Sequence, residues 1–494
     1  MGAIPTSLGY GQRIYAKRRR SRCRRVTQYL KYRNCVAGRY RLACSVAADE
    51  AVLYRDYVNP EWSRLLSVLQ MDVRYDHCAG AELFTSDGRR VLDFLSGYCV
   101  HNIGHNHPAV VAALHEELDR NGPAMLQSHI PGLAGELAER LLTLAGGKLR
   151  KVFFCSSGSE GVEAAIKFSR AATGRQALLY ADGAFHGLTC GALSLMGNGF
   201  WRERFGAMLP DTESVPFGDL ASLENRLSTK RFAAFVVEPL QGEAGVRVPD
   251  PQYLHSVQEL CRRYGTLLVA DEVQTGLYRT GYFLACGRFG VAPDMAILAK
   301  ALSGGLVPSG AVLMSDAVYE AVYGSIQRSI IHTSTFSENA LAMRAGLATI
   351  EVLERENLGQ RAASGGAHLR DRLQEALRNY EMVKEVRGLG LLCGIEFQAP
   401  ASMRLRLPFE AFCRIHPAMF GQVLVMRLFR QHNVLTQMCG NHFLTLKVAP
   451  PLIAEHRHFE EFVSAIAAVT EEMHTRAAFW TEALGIARRV VKII

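Results

Sequence analysis

Six short apolar runs, each bounded by turn-forming or polar residues, constrain this chain more than any other feature. They are KVFFC (151–155), ALLY (177–180), FAAFVVE (232–238), TLLVAD (266–271), MAILA (295–299) and GAVLM (310–314). A strand buried on both faces reads as a continuous apolar run because neither face meets water, and parallel strands need crossover helices that cover both faces. Helical apolar spacing runs through AVVAALHEELDR (109–120) and LAGELAERLLTLA (133–145). The pattern predicts a large α/β domain built on a mostly parallel central sheet. In such a sheet a ligand lies beyond the carboxyl ends of the strands. That places Asp271, which ends one run, and Lys300, which follows another, where a ligand would be.

The pattern changes near residue 340, where the helical stretch NALAMRAGLATIEVLEREN leads into a separate α+β segment ending near 475. The expected division is a basic, disordered extension over 1–59, a large domain over 106–375, and a small domain assembled from 60–105 and 376–494. The formal charge of +9 belongs to the extension. Residues 1–45 hold 12 Lys/Arg and no Asp/Glu, leaving 44 basic against 47 acidic residues in the rest. The run Lys17–Arg25 has the composition of an anionic-lipid or nucleic-acid arm, or of an organellar targeting peptide. Disorder explains it equally, and nucleic acid is not an expected partner of a near-neutral body. No stretch approaches the roughly 20 apolar residues that span a bilayer. Twelve scattered cysteines, with no C-x-x-C pair and no zinc spacing, suit a reducing compartment, and a cytoplasmic location without a metal is expected.

Five motifs carry candidate chemistry, each with a plain structural alternative. In CSSGSEGVEAAIKFSR (155–170) a strand gives way to a Ser/Gly turn and a helix, so the N–H groups of Ser157, Gly158 and Ser159 can hold a phosphate, or Ser157 simply caps the helix. Asp271, in LLVADEVQTG, can keep a pyridine nitrogen protonated, or cap the next turn. Lys300, in MAILAKALSGG, is a buried nucleophilic amine, or a surface lysine whose stem lies along the sheet edge. Phe185 and His186, in AFHGLT, offer an aromatic face to a planar cofactor, or fill the core. Ser334 and Thr335, in HTSTFSEN (332–339), can donate to phosphate, or sit in a solvated loop.

Together and in this order these blocks resemble the class-III pyridoxal-phosphate (PLP) dependent aminotransferases, a family that includes ornithine, acetylornithine and putrescine aminotransferases. The resemblance runs from about 70 to 475 and is most specific in D-E-V-Q-T-G (271–276) and A-K-A-L-S-G-G (299–305). FLSGYCVHNIGHNHP (94–108), VVEPLQGEAGV (236–246), VRGLGLLCGIEF (386–397) and VAPPL (448–452) match further blocks. It implies the fold type I PLP-transferase fold and a homodimer with its sites at the subunit interface. Gly158 and Ser159 would hold the phosphate, Phe185 and Val273 the two ring faces, Asp271 the ring nitrogen and Gln274 the ring hydroxyl. Glu238 and His186 would border the ring, and Thr335 would reach the neighbouring subunit's phosphate. Lys300 would carry the cofactor as a Schiff base and then shuttle the substrate proton. Tyr98 and Glu243 match substrate-side positions, Glu243 being the family's switch residue that pairs with an arginine.

Three positions depart from that pattern. The arginine just before A-P-P-L in most relatives is Lys447, the arginine after F-W-G in ornithine aminotransferases is Leu188, and a second substrate-side tyrosine near position 68 is missing. A guanidinium grips a carboxylate with two hydrogen bonds, whereas an ammonium is a point charge. The expectation is therefore an aminotransferase working in ping-pong fashion between an ω-amine or terminal aldehyde without a nearby carboxylate and 2-oxoglutarate or glutamate, with Lys447 on the acid. The apolar segment 404–429 is expected either to line an entrance for a lipidic substrate, as in aminotransferases that make the terminal amine of aminohopanoids, or to be core. Another PLP reaction (aminomutase, racemase, decarboxylase) or a silent PLP-fold binding protein stays open from the cofactor residues alone.

Overall fold

The computed structural model describes residues 47–476 other than 127 and 416, together with 479–481 and 485. The basic run Lys17–Arg25 lies outside the described residues. The chain divides into two compact units, one ending at Ser63 and one beginning at Arg64. The first contains the helix Ala47–Tyr57. Everything below concerns the second.

Fifteen strands appear among its described residues: β1 Tyr75–Ala79, β2 Glu82–Thr85, β3 Arg90–Asp93, β4 Leu149–Cys155, β5 Ala177–Ala181, β6 Thr212–Val215, β7 Phe232–Val237, β8 Leu267–Asp271, β9 Met295–Leu298, β10 Gly310–Ser315, β11 Val383–Leu389, β12 Leu392–Phe397, β13 Val434–Leu435, β14 Gln437–Cys439 and β15 His442–Val448. The central sheet has the order β4-β10-β9-β8-β7-β5-β6. The five strands from β9 to β6 run parallel, while β10 is antiparallel to both its neighbours. All six apolar runs lie in this sheet, and side chains alternate between its faces as strand geometry requires. Ala296 and Leu298 of β9 enter one core cluster, while Met295 and Ile297 enter another. The apolar runs do not reveal β6, whose sequence is T-E-S-V. As an edge strand, hydrogen-bonded only to β5, it is half-buried and tolerates polar side chains.

Two smaller sheets complete the unit. The early strands pair with one from far down the chain in the order β1-β2-β3-β13, and β11-β12-β15-β14 is antiparallel. Backbone N–H groups of Leu92 and Phe94 donate to the carbonyls of Asn433 and Leu435, both at 2.8 Å. Segment 404–429 lies in the helices Met403–Ile415 and Met419–His432, whose Leu405, Phe409, Phe412, Phe420 and Leu424 are buried in the main apolar core. No helix among the described residues is long and apolar enough to cross a membrane.

One fully buried charge, Arg279, pins the loop after β8. Its Nε and Nη2 donate to Asn102 Oδ1 at 3.2 and 2.6 Å, and Nη1 donates to the carbonyls of Leu391 (3.0 Å) and Pro450. Replacing it leaves several buried acceptors without donors, each a desolvation penalty. Arg279→Met, which keeps the volume and drops the donors, should destabilise the protein by about 3 kcal/mol, read as a shift in the urea unfolding midpoint.

Candidate active site

The parallel strands bring their carboxyl ends to one edge, and the polar residues that close them meet there. Glu238 follows β7, Asp271 ends β8 and Lys300 follows β9 by two residues. Ten of the thirteen residues expected from sequence line a single cavity of about 520 Å³: Gly158, Ser159, Phe185, His186, Glu238, Glu243, Asp271, Val273, Gln274 and Lys300. Tyr98, Thr335 and Lys447 do not line it. The sequence reading missed further lining residues, which include Val100 and the loop Leu306–Ser309. That loop has no motif of its own; its adjacency to the A-K-A-L-S-G-G block was the available signal.

Lys300 heads a 3₁₀ turn that ends at Gly304 and has a φ of +47°. A lysine in the left-handed region costs on the order of 1 kcal/mol and persists only where its surroundings dictate it. Here the next three residues, Ala301, Leu302 and Ser303, are all buried.

Asp271 is buried and accepts two hydrogen bonds, from the Val273 N–H (3.1 Å) and at 2.7 Å in its contact with His186 Nδ1. Burial alone would discharge His186, but the Asp271 hydrogen bond and the charges of Asp271 and Glu238 prevail and raise its pKa. The 2.7 Å contact sets His186 behind the carboxyl group that a pyridine nitrogen would face. Glu238 accepts from the N–H groups of Phe185 (3.1 Å) and Gly242 (3.0 Å). Burial pushes its carboxyl up to about 7, with Asp271 adding to the rise and His186 opposing it.

The turn before the helix Gly158–Thr173 is doubly capped. Ser157 Oγ accepts from the Glu160 N–H at 3.2 Å and Glu160 Oε2 accepts from the Ser156 N–H at 2.9 Å. The first amides of this 16-residue helix stand at the cavity wall, an arrangement able to hold an anion. Space there is minimal: a Cβ on Gly158 would meet both Val273 methyls at 3.0 Å, and one on Gly187 (φ +126°) would stand 2.2 Å from Ser159 Oγ. Gly187 is therefore a site residue that the sequence reading passed over.

On the substrate side, Lys447, expected on a substrate carboxylate, is fully buried and its ammonium donates to Glu243. Burial opposes both charges, yet each holds the other ionised: the Glu243 carboxyl stays well below the usual carboxylate range and the Lys447 ammonium well above its own. Glu243 also accepts from Gln274 Nε2 (3.2 Å) and the Gly440 N–H (2.8 Å). The Tyr98 ring lies 5.3 Å from Lys447 Nζ, on a turn where Ser96, Gly97, Tyr98 and Cys99 all have positive φ. Leu188 is more than half exposed and lies outside the cavity wall, and Thr335 is exposed. Among the described residues none of 404–429 lines the cavity, and Leu405, Phe409, Phe412, Phe420 and Leu424 are buried in the core, the second of the two expectations for that segment.

The class-III aminotransferase family model matches residues 66–470. The chain belongs to that family, whose cofactor is PLP. Aminotransferase PigE of Serratia sp. (strain ATCC 39006) is 35% identical over 453 residues, covering 85% of this chain and 53% of that protein, so the chain spans about half the length of this relative. Putrescine aminotransferase of Pectobacterium atrosepticum is 36% identical over 422 residues, covering 82% of this chain and 85% of that one. The solved ornithine aminotransferase of Toxoplasma gondii, with PLP partially occupying its active site, has a TM-score of 0.74 at 28% identity, covering 88% of this chain and 100% of that one. The cavity fits such a cofactor. Gln274 Oε1, His186 Nε2 and Ser309 Oγ are buried in its wall with no hydrogen-bond partner in the protein, which is what a bound polar ring would supply.

Glu238 makes stability pH-dependent in a defined direction. Its folded pKa of about 7 lies above the ordinary 4.5, so its contribution is full below pH 4.5 and is lost as pH rises through 7. The melting temperature of the cofactor-free wild type relative to Glu238→Gln should therefore fall between those values and level off outside them.

Proposed function

We propose that this chain transfers the amino group of a terminal amine lacking a nearby carboxylate to a 2-oxo acid such as 2-oxoglutarate, in two half-reactions at one site. The observation that carries this reading is that Lys300 is the single lysine or arginine lining the cavity. Lys447 is engaged by Glu243 and Leu188 carries no charge, so while that pair is closed no lysine or arginine other than Lys300 among the described lining residues meets a carboxylate. A relative named putrescine aminotransferase supports the amine side of the proposal.

When bound, PLP supplies a ring that withdraws electrons from the carbon bearing the amine. Lys300, the lysine of the cavity wall, would hold the cofactor through its amine and would be the base for the proton on the amine-bearing carbon. Asp271, in contact with His186, would face the ring nitrogen. Phe185 and Val273 would border the ring faces, and Gln274 Oε1, which has no partner in the protein, would be free to accept from the ring hydroxyl. The amides at Ser157, Gly158 and Ser159 would hold the phosphate, and Thr335, exposed on its loop, would serve a second subunit's phosphate in a homodimer. For the acid half-reaction Glu243 releases Lys447, whose ammonium then meets the carboxylate beside Tyr98. The cytoplasmic assignment belongs to the same proposal and rests on the nine described cysteines, all free.

Butane-1,4-diamine is L-ornithine without its carboxylate, so the two amines isolate the proposed determinant. With PLP-loaded enzyme and 2-oxoglutarate, kcat/KM for the diamine should exceed that for ornithine by about tenfold or more, roughly 1.4 kcal/mol of transition-state discrimination. One glutamate should form per amine consumed. Ornithine equal to or better than the diamine would overturn the amine assignment, and amine loss without glutamate would overturn transamination.

A further inference from the structure

The hairpin joining β14 to β15 reaches the cavity wall from far along the chain. The Gly440 N–H donates to Glu243 Oε2 at 2.8 Å and the Asn441 N–H donates to the Glu243 carbonyl at 2.9 Å. The Asn441 side chain is used at both ends. Its Nδ2 donates to the carbonyls of Gly183 (2.9 Å) and Ala184 (3.2 Å), directly before Phe185. Its Oδ1 accepts from the Trp201 indole N–H at 2.9 Å. The Trp201 ring in turn meets Phe185 edge-to-face, with centroids 5.6 Å apart and planes at 89°.

We infer that Asn441 is a positioning residue that sets the Phe185 face of the cofactor site and ties it to Glu243 on the substrate side. The backbone before Phe185 turns at Gly183 with a φ of +81°, a conformation that a glycine leaves soft. Asn441 pins the two carbonyls after that turn, Glu238 pins the Phe185 N–H, and Trp201, oriented by Asn441, packs against the ring. The same hairpin tip is anchored on the carboxylate that engages Lys447. A change in the Glu243–Lys447 pair is thereby conveyed to the ring face through one short segment. Neither Trp201 nor Asn441 lines the cavity, so both act through Phe185. The inference rests on the reading of Phe185 as a ring-stacking residue.

The test is a PLP titration of the cofactor-free protein, followed by visible absorbance, for the wild type, Asn441→Ala, Trp201→Phe and the double variant, with a thermal melt of each cofactor-free form. Loss of two to three neutral hydrogen bonds should raise the PLP dissociation constant of Asn441→Ala about tenfold. Trp201→Phe, which keeps a ring and drops the donor, should raise it about threefold. The double variant should match Asn441→Ala within about twofold, because the two residues act in series. If Asn441→Ala does not fold, the shift in Trp201→Phe still decides. A lower melting temperature with an unchanged dissociation constant would make Asn441 merely structural and overturn the inference, as would effects that multiply in the double variant. Failure of the wild type itself to bind PLP would overturn the site reading along with it.

Discussion

Parallel strands buried on both faces must be joined by crossover helices, and that constraint gathers every strand's carboxyl end at one edge of the sheet. The active-site assignment depends on it. Glu238, Asp271 and Lys300 are distant in sequence, yet each stands where its strand stops, and the shared edge makes them neighbours around one cavity. The helix Gly158–Thr173 adds its amides at the same edge because it begins just after β4 ends. Arg279 then fixes the loop beyond Asp271 to the Asn102 side chain and to the carbonyls of Leu391 and Pro450, so the carboxylate is presented by a rigid surround.

Within that frame the electrostatics are arranged in coupled pairs. His186 and Asp271 form one, in which the hydrogen bond and charge of Asp271 raise the pKa of the buried imidazole. Glu243 and Lys447 form the other, and it has the opposite consequence for ligands: a cation placed to read a carboxylate is occupied until the pair opens. Removing either member would leave an uncompensated buried charge. The contrast between an open cavity with one lysine and a locked second lysine is the physical basis for the proposal of an amine without a neighbouring carboxylate.

Local signals in the sequence exposed the cofactor half of this site. The apolar runs, the Ser/Gly turn at 156–159 and the polar residue closing each strand are short-range patterns with direct structural causes, and Asp271, Lys300 and Gly158 stand where those patterns place them. What escaped was non-local. Lys447 and Glu243 are each recognisable by position, but that one occupies the other is a fact of two segments meeting across the fold. Asn441 and Trp201 belong to no motif, and Gly187 matters only because Ser159 sits against it. The apolar segment 404–429 read equally as entrance or core, because hydrophobicity alone does not say which surface it covers; burial of Phe409, Phe412 and Phe420 decides for core.

The central claim is that Lys300 holds the cofactor at the carboxyl edge of the sheet. Borohydride reduction of the PLP-loaded protein followed by peptide mass mapping tests it most directly. The wild type should carry a single phosphopyridoxyl group on Lys300. Lys300→Ala should carry none and should lose transamination while remaining folded by circular dichroism. A reduced adduct on another lysine of the wild type, or one that persists in Lys300→Ala, would contradict the account.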